Sequence, residues 1–358
     1  MKKVLISTGG SGGHVIPALI IFDHLKNDCD IILVTDKRGT DFIEKNTYPY
    51  KLIDVPKIKK SILAFPKFFI LFIVSIIKSF LFLKKNKIEI LISTGGYMSL
   101  PLCIMSKIFK IKIILYEPNT VLGRSNKLIL KYAKKIICYH DSLINFPKIY
   151  KDKILIINSL LRKEAYSLNK KLKKNKLDPI KILVLGGSQG AIFFDKMVKN
   201  LVMKIYQFGR ISLTQQIFNL DKKNDLEDCY KNLNIEYKIF NYNSYLYKDL
   251  NSFDLAITRS GASALAELTF FNIPFIAIPF PHSKDNHQFF NAKFYEDKNC
   301  CWLINQDDTC LDKITHLINE AIINKNDYDI KKENLKRISY QNTWDNINKK
   351  LIDLINEN

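Results

Sequence analysis

Short apolar strands that run straight into glycine turns recur along this chain, and they constrain its fold more than any other feature. Lys3–Ser7 leads into Thr8-Gly9-Gly10-Ser11-Gly12-Gly13-His14, Ile88–Ser93 into Thr94-Gly95-Gly96-Tyr97, and Lys181–Leu185 into Gly186-Gly187-Ser188-Gln189-Gly190-Ala191. Helix-forming stretches follow each turn, at Ile16–Leu25, Leu100–Phe109 and Ile192–Tyr206. Strand, turn, helix, strand is the right-handed crossover of a parallel sheet. Glycine lets backbone approach backbone or a ligand. In an open α/β sheet, ligands bind at the carboxyl edge, where these turns fall.

The same grammar is densest between Asp254 and Ala292. Leu255–Thr258 reads as a buried strand, Arg259-Ser260-Gly261-Ala262 as the turn, Ser263–Phe271 as a helix and Ile273–Pro279 as the next strand. Unpaired N–H groups at that helix start make a seat for phosphate. Further strands are expected at Ile31–Thr35, Lys112–Tyr116, Lys135–Cys138, Ile154–Asn158 and Tyr237–Phe240, with a strand–helix unit over Ile211–Leu233 and a last helix near Asn346–Ile355. A chain of 358 residues is long for one core. The Lys/Asn-rich run within Leu160–Pro179 reads as the crossing between two domains. We therefore expect an N-terminal Rossmann-like domain over 1–161, a C-terminal one over 162–336, and a terminal helix within 337–358 that packs back on the first.

The formal charge of +20 is uneven: residues 1–161 hold 26 Lys/Arg against 11 Asp/Glu, and the remainder 29 against 24. A basic first half suits an anionic partner, either phosphorylated substrates or an anionic membrane. No nucleic-acid recognition motif accompanies the charge, so nucleic acid is not expected. Seven cysteines without metal or redox spacing fit a reducing compartment. The opening MKKVLIS is too short for a signal core.

Lys57–Lys87 stands apart. Between Pro66 and Leu83 only Lys67, Ser75, Lys78 and Ser79 are polar, and Lys57, Lys59, Lys60, Lys84, Lys85 and Lys87 crowd the ends. Such a helix either buries itself in a core or meets lipid. The two lysines and the proline inside so short a stretch argue against a membrane span. Apolar surface framed by lysine suits the interface of an anionic leaflet.

Several side chains are candidates for chemistry. His14 follows the first glycine turn and could act as a base or only start a helix. Asp36 closes the second strand, where a dehydrogenase keeps its ribose carboxylate, but the glycine spacing is wrong for that motif. Ser188 and the Gly186–Ala191 backbone suit pyrophosphate oxygens, and Arg259 could add charge or serve as a structural partner. Glu267, two turns into an apolar helix, can accept from vicinal ribose hydroxyls. Gln288 and Asn291 offer amides to a sugar. His282 and His287 lack a third ligand, so neither a metal nor a cofactor is expected.

Taken in order, GGSGGHVIPAL, STGGYMSLP, EPNTVLGRSNK, GGSQGA and RSGASALAE…IPFP…DNHQFFNA resemble the MurG family of bacterial peptidoglycan glycosyltransferases, from Ser7 to about Ala292. The resemblance implies the GT-B fold of family 28, two Rossmann-like domains with parallel sheets facing across a cleft. It implies inverting transfer of N-acetylglucosamine from UDP-GlcNAc to the undecaprenyl-linked muramyl-pentapeptide, lipid I, at the cytoplasmic face of the membrane. Donor contacts then fall on Ser11, Gly12, Gly13, Asn119, Arg162, Ser188, Asn243, Ala262, Ser263, Ala264, Leu265, Ala266, Glu267 and Gln288. His14 matches the histidine beside the acceptor hydroxyl. Gly95, Gly96 and Tyr97 match the acceptor diphosphate loop, and Pro66–Leu83 the membrane patch. Tyr116 and Pro118 stand where the family has His and Gln, and Asn158-Ser159-Leu160-Leu161-Arg162 replaces its Gly-Asn-Pro-x-Arg. Two rival readings remain at this stage: a GT-B diacylglycerol glycosyltransferase, and a membrane-bound nucleotide-sugar sensor without turnover.

Overall fold

The computed structural model describes residues 1–56, 65–168, 179–241, 243, 246–323 and 325–357, without the side chains of Phe65, 188–191 and 322–323. Two compact units divide the chain: Met1–Lys163 with Thr343–Asn358, and Glu164–Asn342.

The first unit is built on a parallel sheet of β1 (Lys2–Ser7), β2 (Cys29–Thr35), β3 (Tyr50–Leu52), β4 (Ile90–Ser93), β5 (Lys112–Glu117), β6 (Lys135–Cys138) and β7 (Ile154–Ile156). Their spatial order is β3-β2-β1-β4-β5-β6-β7. Order reverses beside β1, so the turns after β1 and β4 lie next to one another, at the switch point where such sheets bind ligands. Strand cores such as Val4, Leu5 and Ile6, or Leu91 and Ile92, are buried on both faces because helices cover both. The helices are α1 (Gly12–Leu25), α2 (Phe65–Asn86), α3 (Leu100–Ile108), α4 (Arg124–Ile129) and, from the end of the chain, Trp344–Asn356. Lys2 Nζ and Lys112 Nζ donate to Ile355 O (3.0 Å) and Leu354 O (2.8 Å), the last carbonyls of that terminal helix.

α2 is not the buried core helix that composition allowed. It turns its serines inward: Ser75 and Ser79 are buried, bonding to Phe72 O and Ser75 O, while Phe69, Ile70, Leu71, Ile73, Val74, Ile77 and Leu81 are exposed. Among the described residues it is the one helix long and apolar enough to cross a membrane. Lys57, Lys59 and Lys60 lie outside the described residues, as does most of the Lys/Asn-rich run after Leu168.

The second unit begins with α5 (Lys163–Leu168), most of which belongs to it. Its parallel sheet has β8 (Ile180–Leu185), β9 (Ile211–Gln216), β10 (Glu236–Phe240), β11 (Leu255–Thr258), β12 (Phe275–Ala277) and β13 (Cys301–Leu303), in the order β10-β9-β8-β11-β12-β13. α6 (Gly187–Ile205), α7 (Lys223–Asn232), α8 (Ala262–Phe270), α9 (His287–Glu296), α10 (Cys310–Ile323) and α11 (Asn326–Ser339) flank it. The terminal helix is accordingly α12. β3 and β13 escape a sequence reading because three residues carry no period. Ile154–Asn158 and Ile273–Pro279 shorten to β7 and β12.

Helices start earlier than the glycine runs suggested. Ser11 O already accepts from His14 N (3.0 Å) and Val15 N (3.1 Å), so Gly12, Gly13 and His14 form the first turn of α1. Pro17 lies inside this helix and has no N–H to return to Gly13 O. Likewise Gly187–Ala191 is the first turn of α6 and not a loop. All seven cysteines are unpaired, and six are buried.

Candidate active site

In the first unit the turn after β4 packs on His14, and a third turn lies against it. His14 Nδ1 lies 2.8 Å from Thr94 O, and the His14 ring packs on the two glycines after β4. A Cβ on Gly95 would meet Cε1 at 3.3 Å, and one on Gly96 would meet Cδ2 at 3.4 Å. Both glycines also hold positive φ, 91° and 76°, which side-chain-bearing residues resist. A carbonyl can only accept, so Nδ1 carries the ring proton and Nε2 keeps its lone pair in neutral imidazole. His14 is half-buried, and Ser11 and Gly13 beside it are exposed.

The third turn is organised by Glu117, which is buried. Oε1 accepts from Asn119 N (3.2 Å) and Nδ2 (2.9 Å), and Oε2 from Gly123 N (2.8 Å) and Asn126 Nδ2 (2.9 Å). One carboxylate therefore closes Asn119–Asn126 into a rigid loop; a Cβ on Gly123 would fall 2.8 Å from Oε2. Asn126 Nδ2 also lies 3.7 Å from that hypothetical Gly95 Cβ, which puts the loop against the second glycine turn. Tyr116 is fully buried and pairs its hydroxyl with that of Tyr139. Burial first, and then the neighbouring Tyr139, push its pKa well up, so it stays neutral. Tyr139 Oη accepts from Leu160 N (2.9 Å), which fixes the approach to Arg162.

Asp36 has a different job from a ribose ligand. It is fully buried, and Oδ1 accepts from Gly10 N (2.8 Å) and Gly39 N (3.0 Å) while Oδ2 takes Arg38 Nε (2.7 Å). Gly9 is obligatory there, since a Cβ would sit 2.4 Å from Oδ1.

In the second unit the carboxyl edge holds a cavity of about 390 Å³, within the range of small-ligand pockets. Gly186, Gly187, Asn243, Gly261, Ala264, Glu267 and Gln288 line it. Ala264 and Glu267 are one turn apart on α8 and share a face, whereas Leu265 and Ala266 are buried in the core, so the run Ala262–Glu267 does not act through consecutive side chains. Ala262 and Ser263 are half-buried at the helix start. Gln288 Oε1 accepts from Phe280 N (2.9 Å), leaving its Nε2 donors for a ligand. The two residues before His287, Asp285 and Asn286, adopt left-handed backbone at φ 51° and 54°, and this twist sets the start of α9. The side chain of Ser188 lies outside the described residues.

Arg259 also lines this cavity, and it braces the cavity wall. Nη1 donates to Ile278 O (3.1 Å) and Pro279 O (3.0 Å), and Nη2 to Gln306 Oε1 (2.7 Å), with the rings of Phe193, Phe194 and Phe280 around the guanidinium. Burial lowers its pKa to about 10. The buried Asn291 donates to Ser260 O (3.1 Å) and holds the same turn from the other side. The sequence reading missed Gln216, Phe240, Leu246, Thr258 and Phe280 on the cavity wall. Gln216, Phe240 and Thr258 each end a strand, so the carboxyl-edge rule could have found them.

Two parallel-sheet α/β units with these glycine-marked edges define a GT-B glycosyltransferase. Residues 4–138 match the glycosyltransferase family 28 N-terminal domain and residues 181–347 its C-terminal domain. The chain belongs to the MurG branch of glycosyltransferase family 28. It is 47% identical over its whole length, and 99% of the relative's, to the UDP-N-acetylglucosamine--N-acetylmuramyl-(pentapeptide) pyrophosphoryl-undecaprenol N-acetylglucosamine transferase of Pelagibacter ubique (strain HTCC1062). The enzyme of that name from Rickettsia bellii (strain RML369-C) is 30% identical over 90% of this chain and 92% of its own. Among solved structures, Acinetobacter baumannii MurG superimposes with a TM-score of 0.76 over 99% of both chains at 20% identity, and a Phytolacca americana UGT2 with 0.70 over 99% of both at 11%. At those identities the likeness concerns the fold.

Proposed function

We propose that this chain transfers N-acetylglucosamine from UDP-GlcNAc to undecaprenyl-diphospho-N-acetylmuramoyl-pentapeptide. The observation that carries the reading is the 47% identity, end to end, with an enzyme named for that reaction. The acceptor hydroxyl oxygen attacks the anomeric carbon, the bond to the UDP oxygen breaks, and the configuration inverts. His14 Nε2 takes the hydroxyl proton; its tautomer, fixed by Thr94 O, supports this role. Gly95, Gly96 and Tyr97 approach the acceptor diphosphate.

The second unit holds the donor. Glu267 accepts from the ribose hydroxyls, Gln288 donates to the sugar, and Asn243 meets the uracil. Ser188 and the first turn of α6 face the diphosphate, where helix-start N–H groups stabilise the charge that grows on leaving. For Ser11, Gly12, Gly13, Asn119 and Arg162 of the first unit the family resemblance likewise supports a UDP-GlcNAc-binding role. The exposed apolar side of α2, with Lys84, Lys85 and Lys87 at its end, rests on an anionic membrane surface at the cytoplasmic face.

The test is UDP release, coupled to a reporter, with lipid I present, absent, or replaced by diacylglycerol. Release that needs lipid I is expected. Release with diacylglycerol alone overturns the reading in favour of a glycolipid synthase. Binding of UDP-GlcNAc without acceptor-dependent release would leave a sensor.

A further inference from the structure

We propose that Arg38 is a further ligand of the acceptor diphosphate, held in place by the buried carboxylate of Asp36. The proposal rests on the acceptor reading above and extends it to a residue outside the glycine turns. Arg38 lies in the turn after β2, and Asp36 Oδ2 holds both its Nε and its Nη2. That carboxylate is fully buried, and its other oxygen is committed to Gly10 N and Gly39 N. One rigid anion thus ties the guanidinium to the backbone of the first glycine turn. The carbon centre of Arg38 also stands 5.2 Å from the centroid of the Tyr97 ring, directly after the second glycine turn. The guanidinium is therefore fixed beside both turns that approach the acceptor.

A purely structural partner for Asp36 would be expected to sink with it. Instead the Arg38 side chain keeps 35% of its surface exposed while the Asp36 side chain has none. The carboxylate takes the Nε side of the fork, and the rest of the half-exposed guanidinium lies beside the Tyr97 hydroxyl, the edge an anion would share. Arginine in such a fixed pose reads two phosphate oxygens at once, which lysine as a point charge does not. Asp36 acts through Arg38 and is a positioning residue.

The test compares wild type, Arg38→Gln, Arg38→Lys and Lys37→Gln. Lys37 is the exposed neighbour and controls for net charge. Two readouts are needed: KM for lipid I against KM for UDP-GlcNAc, and the affinity for inorganic pyrophosphate with UDP saturating the donor side. Arg38→Gln is expected to raise KM for lipid I about ten- to a hundredfold, the usual worth of a charge-assisted phosphate contact, with KM for UDP-GlcNAc unchanged. Arg38→Lys recovers only part, Lys37→Gln changes neither, and pyrophosphate binding weakens in Arg38→Gln alone. A folded Arg38→Gln whose lipid I KM stays within about twofold of wild type overturns the proposal and leaves the reaction standing. If wild type does not use lipid I, the reaction falls instead. The pyrophosphate arm then decides Arg38, and binding that is absent or equal in wild type and Arg38→Gln overturns it.

Discussion

His14 and Thr94 are eighty residues apart in sequence, yet His14 Nδ1 sits 2.8 Å from the Thr94 carbonyl oxygen. This bond crosses from the start of α1 to the turn after β4, and it fixes both the ring's tautomer and its plane. If His14 is the base proposed above, removing the imidazole should cost turnover and leave binding of the donor unchanged. His14→Ala is expected to lower kcat about 100- to 10,000-fold, with KM for UDP-GlcNAc little changed. Steady-state kinetics on a soluble lipid I analogue measure both. Unaltered turnover would take His14 out of the chemistry.

Glu267 belongs to the opposite kind of residue. It lines the second unit's cavity one turn after Ala264, on a helix whose other face is core. Glu267→Ala is expected to raise KM for UDP-GlcNAc roughly ten- to a hundredfold, the worth of hydrogen bonds to a charged acceptor, while KM for lipid I holds. Calorimetric titration with UDP gives the same answer without turnover. If UDP binds Glu267→Ala as it binds wild type, the ribose role is wrong.

Why some of this was readable from sequence and some not has physical reasons. Glycine repeats and helix formers are local, so the strand–turn–helix units could be placed, and with them His14, Glu267 and Gln288. Where a turn ends and a helix begins depends on which carbonyl finds an N–H, and Ser11 O finds His14 N only once the chain is folded. Asp36 looked like a failed ribose ligand because spacing alone cannot show that Gly10 N and Gly39 N converge on it. Gln216 is similar. Its Oε1 accepts from Gly187 N (3.2 Å) and its Nε2 donates to Asn241 O (3.0 Å), joining three separate strand ends. α2 shows the reverse limit. Composition gave an apolar helix, but only packing reveals that its serines face inward and its large side chains outward.

His24 gives the first unit a pH dependence. It is buried against α12, its ring stacked 3.5 Å from that of Trp344, with Nδ1 3.3 Å from Asn348 Oδ1. Burial lowers its pKa from 6.5 to about 4, and Lys163 adds to that, against the opposing pulls of Asn348 and Asp23. The folded state thus binds the proton less readily than the unfolded one. Above pH 6.5 both are neutral and the contribution is complete. As pH falls towards 4 the unfolded chain charges first, and roughly 3 kcal/mol of stability is lost. Urea titrations at pH 7.5 and 5 should show about 2 kcal/mol of it, since at pH 5 the folded state has barely begun to titrate, and His24→Phe should flatten the difference. An equal slope in wild type and His24→Phe would assign the acid sensitivity elsewhere.

The exposed side of α2 can be tested apart from catalysis. Ile70, Ile77 and Leu81 are 62%, 52% and 58% exposed, so charging them leaves nothing buried unpaired and should shift the melting temperature little. On a membrane the same change is costly, because each apolar side chain that leaves lipid forfeits its transfer energy. The Ile70→Glu, Ile77→Glu, Leu81→Glu variant is expected to lose at least about tenfold in partition onto phosphatidylglycerol vesicles, by co-sedimentation. If Lys84, Lys85 and Lys87 supply a salt-sensitive part of the proposed binding, raising ionic strength should weaken it without abolishing it. The variant should still transfer sugar to a water-soluble acceptor analogue at the wild-type rate, since its active-site turns are untouched. Equal partition of variant and wild type would mean that α2 meets something other than lipid.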